Sequence, residues 1–218
     1  MRSLSVFLLL VSCLVLPAFS AAPAEVPPAN LIADPVNDPG WKELFARLAP
    51  QQARRSQFEE RRIFPFRTTP IVLTGEIRIS PDRGLSLNYL GAKPQIVIID
   101  QKGVLMRDER GQQRTAPADP RADAATSALF HILRFDLPAL AKTFILHGRR
   151  DGEAWTLGFE PRDATLSGLI GSVIVQGEGG RVDRINMVKS EKQRIDILIS
   201  DTKETASFDE EELKRFFR

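Results

Sequence analysis

The sequence predicts a mainly β fold of the α+β kind, a single curled antiparallel sheet forming an incomplete barrel covered by short helices. Three observations carry this. Residues 72–89 alternate strictly, with Leu73, Ile77, Ile79, Leu85, Leu87 and Tyr89 on odd positions and Thr74, Glu76, Arg78, Ser86 and Asn88 on even ones, the period of a half-buried strand pair. Similar apolar runs recur along the chain, separated by short turns that leave no room for the crossover helix of parallel pairing. Roughly nine to eleven strands result, a number at which an open sheet tends to curl.

The elements follow in order. Residues 1–20 have one early Arg2, an apolar run from Val6 to Leu16 and a small-residue exit at Ala18-Phe19-Ser20, the pattern of a secretory signal peptide. Leu10-Val11-Ser12-Cys13 also has the form of a lipobox, which would make Cys13 an acylated mature N-terminus. The expected location is therefore the periplasm, with a lipoprotein anchored through Cys13 as the alternative. Residues 21–40 hold Pro23, Pro27, Pro28, Pro35 and Pro39 and form an extended leader. The domain is expected over residues 41–218. Asp38 caps a short helix whose apolar stripe is Trp41, Leu44, Phe45 and Leu48.

A strand over SQFEERRIFPF places Phe58, Phe64 and Phe66 on one parity, with Pro65 bending its end. The pair within residues 72–89 turns at Ser80-Pro81-Asp82-Arg83-Gly84, and QIVIID and VLMRD continue the meander. Residues 115–122 read as a polar loop. Beyond it Leu129, Ile132 and Leu133 form a helical stripe, and Asp136 caps a second helix carrying Leu137, Leu140 and Phe144. Strands then resume at FILHG, AWTLGFEP, GSVIVQ, RVDRINMV and QRIDILIS, with a loop before GSVIVQ and a tight hairpin at Gly177 to Gly180. A terminal helix over SFDEEELKRFFR has acids first and bases last, as the helix dipole favours.

Composition narrows the function. Without Arg2 the chain has 29 basic and 28 acidic side chains, interspersed, so no nucleic-acid partner is expected. Cys13 is the single cysteine, which leaves a chain cleaved after it no disulfide and no thiolate ligand. There is no G-x-S-x-G, H-E-x-x-H or Gly-rich phosphate loop. His131 and His147 have no second ligand nearby in sequence, and Glu59-Glu60 and Asp209 to Glu212 read as solvated charges. No catalytic residue, metal or cofactor is expected.

The order of parts resembles the lipoprotein-carrier family LolA. It runs from a signal peptide and an amphipathic helix to F-x-E-x-R at Phe58, Glu60 and Arg62, then T-G-E-I-R-I-S-P at Thr74 to Pro81. The helical stretch DAATSALFHIL, the strand AWTLGFEPRD and the hairpin GGRVDRINMVKSEKQRIDILIS resemble the family's second half. The turn has Ser80 before Pro81 where carriers of the family have a basic residue, with Arg83 just beyond. The resemblance implies an apolar cavity that carries lipid or lipoprotein acyl chains through the periplasm, taken from an inner-membrane donor and passed to an outer-membrane receptor. Phe58, Phe64, Phe66, Leu73, Ile77, Ile79, Leu85, Leu87 and Tyr89 would line one wall, and Phe130, Leu133, Leu140 and Phe144 a helical lid. Gly75, on the inward parity, would leave room for cargo. The alternative is the same fold with a filled interior, serving as a protein-binding or sensing module of the cell envelope.

Overall fold

The computed structural model describes residues 30–115 and 119–218; the expected signal peptide, Cys13 and residues 21–29 of the Pro-rich leader lie outside them. One antiparallel sheet organises the described residues. Its strands are β1 (Ala53–Ile63), β2 (Ile71–Ser80), β3 (Gly84–Tyr89), β4 (Gln95–Asp100), β5 (Gly103–Asp108), β6 (Gln113–Thr115), β7 (Phe144–Asp151), β8 (Ala154–Pro161), β9 (Ser172–Glu178), β10 (Arg181–Ser190) and β11 (Gln193–Thr205). They run in the spatial order β6-β5-β4-β3-β2-β1-β11-β10-β9-β8-β7. Two meanders are thus joined where β1 pairs with β11, and the sheet stays open. At its β7 edge, the Ile32 amide donates to the Leu146 carbonyl at 2.8 Å and the Gly148 amide to that of Asn30 at 2.8 Å. The described end of the leader therefore covers an edge that would otherwise present unpaired backbone groups.

Register shifts supply the curl. One lies between Arg55 and Gln57 on the β1–β11 ladder, where Asp201 has φ 51°; another lies between Val182 and Arg184 on β10. Such bulges bend a strand and increase its twist. The shift at Asp201 also reverses parity along β11: Ile197 and Ile199 face the concave side, and beyond the bulge Thr202 and Glu204 do so.

Helices α1 (Pro39–Leu48), α2 (Pro120–Arg134), α3 (Leu137–Thr143) and α4 (Ala164–Ile170) lie on that concave side. Their starts are fixed by aspartates. Asp38 accepts from the Gly40 and Trp41 amides at 3.0 and 3.1 Å, and Asp136 from Ala139 at 3.3 Å. Asp163 accepts from Leu166 at 2.9 Å, which caps α4 in a stretch where a loop is expected from sequence. Asp119 starts α2 at Pro120 in the same way, so the expected loop over 115–122 is shorter than its composition suggests. The apolar stripes of these helices pack on β7 to β10, around Leu44, Phe45, Leu140, Phe144, Leu157, Phe159 and Val173.

The polar parity of β2 leaves water along its second half: Thr74 is exposed, but Arg78 and Ser80 are buried. Helix α5 (Glu210–Phe216) covers the convex side over β1 to β5, and Phe208, Phe216 and Phe217 form a second core there with Ala53, Ile96, Ile98 and Leu105. Arg78 is 5% exposed, with its guanidinium 3.7 Å from the centroid of the Phe216 ring. Stacking on an aromatic face and pairing with Glu76 at 3.0 Å make burial of that charge tolerable.

Candidate functional site

Between the half of the sheet packed by helices and the half formed by β1 to β4 lies a cavity of about 560 Å³. Its floor is the concave parity of the central strands: Ile77 and Ile79 from β2, Leu85 and Leu87 from β3, Ile99 from β4, Ile197 and Ile199 from β11, Ile185 and Met187 from β10, and Val173 and Val175 from β9. The roof is α2, through Leu129, Ile132 and Leu133, with Phe135 behind it. Leu133, Ile197 and Ile199 pack against the apolar clusters of both halves. Although central in the fold, Ile79, Leu87, Ile197 and Ile199 are only half-buried, because each faces the void.

The rim is polar. Arg47 at the end of α1, Arg54 and Ser56 on β1, Arg181 after the β9–β10 turn, and Thr202 and Glu204 on β11 line it, interspersed with Leu48, Pro50, Gly180 and Val182. Arg54 donates through Nε to Glu204 at 2.8 Å, and the Ser56 and Thr202 hydroxyls lie 2.8 Å apart. Arg181 pairs with Asp183 at 2.6 Å and Glu178 at 3.2 Å, and Arg47 with Glu153 at 3.3 Å.

Five of the residues expected at the site meet at the cavity: Ile77, Ile79, Leu85, Leu87 and Leu133. Phe58, Tyr89 and Leu73 share their cluster but pack as core beyond the void. The ring of Phe58 lies over Gly75, where an added Cβ would come within 2.6 Å of it. The space left by the glycine is filled by an aromatic side chain, contrary to the expectation from sequence. Leu140 and Phe144 are fully buried in the helical core, and Phe130 faces a separate polar cleft with Asp100, Lys102, His131 and Arg134. Phe64 and Phe66 are displaced most. They follow β1 in a turn, stack on each other at 5.3 Å, and Phe66 is 79% exposed; Pro65 breaks the strand that would have kept their parity inward.

Glu60 is also unlike its expected solvated state. It is 3% exposed, accepts from the Tyr89 hydroxyl at 2.6 Å and pairs with Arg62 at 2.5 Å. Burial, then the charge and hydrogen bond of Glu60, push the Tyr89 phenol well above its ordinary range. Burial works to lower the Arg62 pKa, but the hydrogen bonds and charges of Glu60 and Tyr89 together outweigh it and hold Arg62 above its usual value. Arg83 lies on the other side of the sheet, donating to the Arg218 carbonyl at 3.1 Å, and does not reach the cavity.

The roof residues Leu129 and Ile132 and the β11 pair Ile197 and Ile199 were legible as stripes but not as cavity lining. The arginine rim carried no sequence signal beyond scattered charge. Among the described residues no group of three or more His, Cys, Asp or Glu side chains is placed to hold a metal ion, and no helix is long and apolar enough to cross a membrane.

No family model matches the chain, and no curated protein matches it in sequence. Solved structures of similar layout include an uncharacterised conserved protein from Thermus thermophilus, with 13% identity, TM-score 0.49, and 81% of this chain and 94% of that one covered. A putative outer membrane lipoprotein-sorting protein domain from Vibrio parahaemolyticus has 8% identity and TM-score 0.43, covering 80% and 94%. The chain is likewise similar to a LolA superfamily protein from Nitrosomonas europaea, at 8% identity and TM-score 0.42 over 78% and 96% of the two chains.

Proposed function

We propose that this protein is a periplasmic carrier that takes an acyl chain of a lipid or lipoprotein into the cavity and releases it toward the outer membrane. The observation that carries this reading is the cavity itself. Its volume of about 560 Å³ falls in the range of about 300–1,000 Å³ typical of ligand sites, and apolar side chains of five strands and a helix stay partly uncovered around it. The order of sequence parts that resembles the LolA family supports the same reading.

The energetics suit transport. Each methylene moved from water gains about 0.8 kcal/mol, so about a dozen gain about 10 kcal/mol before an association cost of about 4–15 kcal/mol. The net affinity is modest. A carrier has to let go, and here release needs only that α2 lift from β4 and β11, with the connection at Phe135 and Asp136 as the point of bending. The proposed partners are a donor at the inner membrane and a receptor at the outer one. No bond is made or broken.

Extraction of the purified protein followed by lipid mass spectrometry tests the proposal, together with uptake of a fluorescent fatty acid. Co-purified acyl species and saturable uptake are expected. A protein that carries none and takes up none would overturn it.

A further inference from the structure

We propose, building on the carrier reading, that the cavity selects acyl amphiphiles with an anionic head, a phosphate or carboxylate held at the rim by Arg47 and Arg54 with Arg181 beside them. The rim is not electrostatically symmetric. Three arginines line the cavity and one acid, Glu204, lines it with them; the remaining partners Glu153, Asp183 and Glu178 do not. Glu153 and Glu178 stand outward in water, more than 60% exposed, whereas Arg54 is 15% and Arg47 36% exposed; Arg181, at 54%, is about as open as its partners and adds to the field only from the edge. Exposed carboxylates are screened by solvent, so the potential felt inside the mouth is positive.

Unused donors point the same way. Arg54 spends only Nε on Glu204, and its two terminal nitrogens make no hydrogen bond among the described residues. Arg47 donates through Nη1 to Glu153, and its Nη2 makes no hydrogen bond among the described residues. A guanidinium fork with free donors matches a phosphate or carboxylate. The β9–β10 turn brings Arg181 alongside, since a Cβ on Gly180 would sit 3.5 Å from the Arg47 carbonyl. The hydroxyls of Ser56 and Thr202 mark the boundary between this polar mouth and the apolar floor at Ile79 and Ile199. A tail laid on that floor places its head among the arginines.

The test compares ligands of equal tail: dodecyl phosphate, dodecanoate and dodecanol, with inorganic phosphate alone as the fourth. The two anions are expected to bind about tenfold or more tighter than dodecanol, with an affinity that falls as salt rises. Arg47→Gln and Arg54→Gln should each cut that preference, with circular dichroism and melting temperature reporting that the variants are folded. Inorganic phosphate alone should not compete. Equal affinity for all three amphiphiles, or a preference that survives in both variants, would overturn the head site and leave the carrier reading standing. Competition by inorganic phosphate as strong as that by dodecyl phosphate would also overturn it, as a free-anion site. No binding of any amphiphile would remove the carrier reading and this site together.

Discussion

The hydroxyl of Tyr89 donates to the carboxylate of Glu60 across 2.6 Å, joining β3 to β1 over an intervening strand. Arg62 completes the cluster from the other side of Glu60, so a buried acid, a phenol and a guanidinium satisfy one another at the end of the cavity-forming half of the sheet. Buried polar groups of this kind are costly to leave half-paired.

Tyr89 is the only tyrosine of the chain, so any phenolate signal comes from this residue. Its phenol should stay protonated in the folded protein well above the ordinary pKa of 10.0. The sign follows. A folded-state pKa raised above the unfolded one gives stability that is fully present below about pH 10 and is lost as the pH climbs toward the folded value. Ultraviolet difference titration should show phenolate appearing together with unfolding, and a titration near pH 10 in the folded state would count against this hydrogen bond. Tyr89→Phe should cost about 1–3 kcal/mol by urea denaturation.

Gly75→Ala should destabilise the protein by about 1–3 kcal/mol. A methyl there would sit 2.3 Å from the Asn88 carbonyl oxygen and 2.6 Å from the Phe58 ring. Pairing it with Phe58→Leu should recover part of the loss, because a smaller side chain yields to the methyl; no recovery would place the strain in the backbone contact alone.

The convex core is separable from the cavity. Phe216→Ala removes a buried ring and the stacking partner of Arg78, at a cost of about 3–5 kcal/mol. Because α5 lies across the sheet from the void, the folded fraction of this variant should bind acyl probes as the parent does. Lost binding at temperatures where circular dichroism still shows the native fold would contradict the separation.

Leu87 is half-buried only because it faces the cavity. Leu87→Glu should abolish retention of acyl species with little change in melting temperature, and Leu87→Trp should fill the void, lowering uptake without lowering stability. Retention unchanged in both variants would move the cargo elsewhere.

How much of this was legible in the sequence differs by level. The alternation of residues 72–89 fixed which parity of β2 and β3 faces inward, and Ile77, Ile79, Leu85 and Leu87 are there. Asp38 and Asp136 cap the helices their spacing suggests. Phe64 and Phe66 kept the right parity on paper, yet Pro65 ends the strand and turns them outward. Glu60 looked like one more surface acid, and its burial depends on Tyr89 and Arg62 reaching it.

By itself, then, the sequence determined strand against helix, the inward parity and the meander of neighbouring strands, because side-chain period and turn chemistry act over a few residues. Only the tertiary structure decided that β1 joins β11, that α5 buries Arg78 on the polar parity of β2, and that Phe58 fills the space at Gly75 while the space beside Leu87 and Ile199 stays open. An apolar face records that water is excluded from it, and what excludes the water, a core side chain or a guest, is set by how far apart the bulges and helices hold the two halves of the sheet.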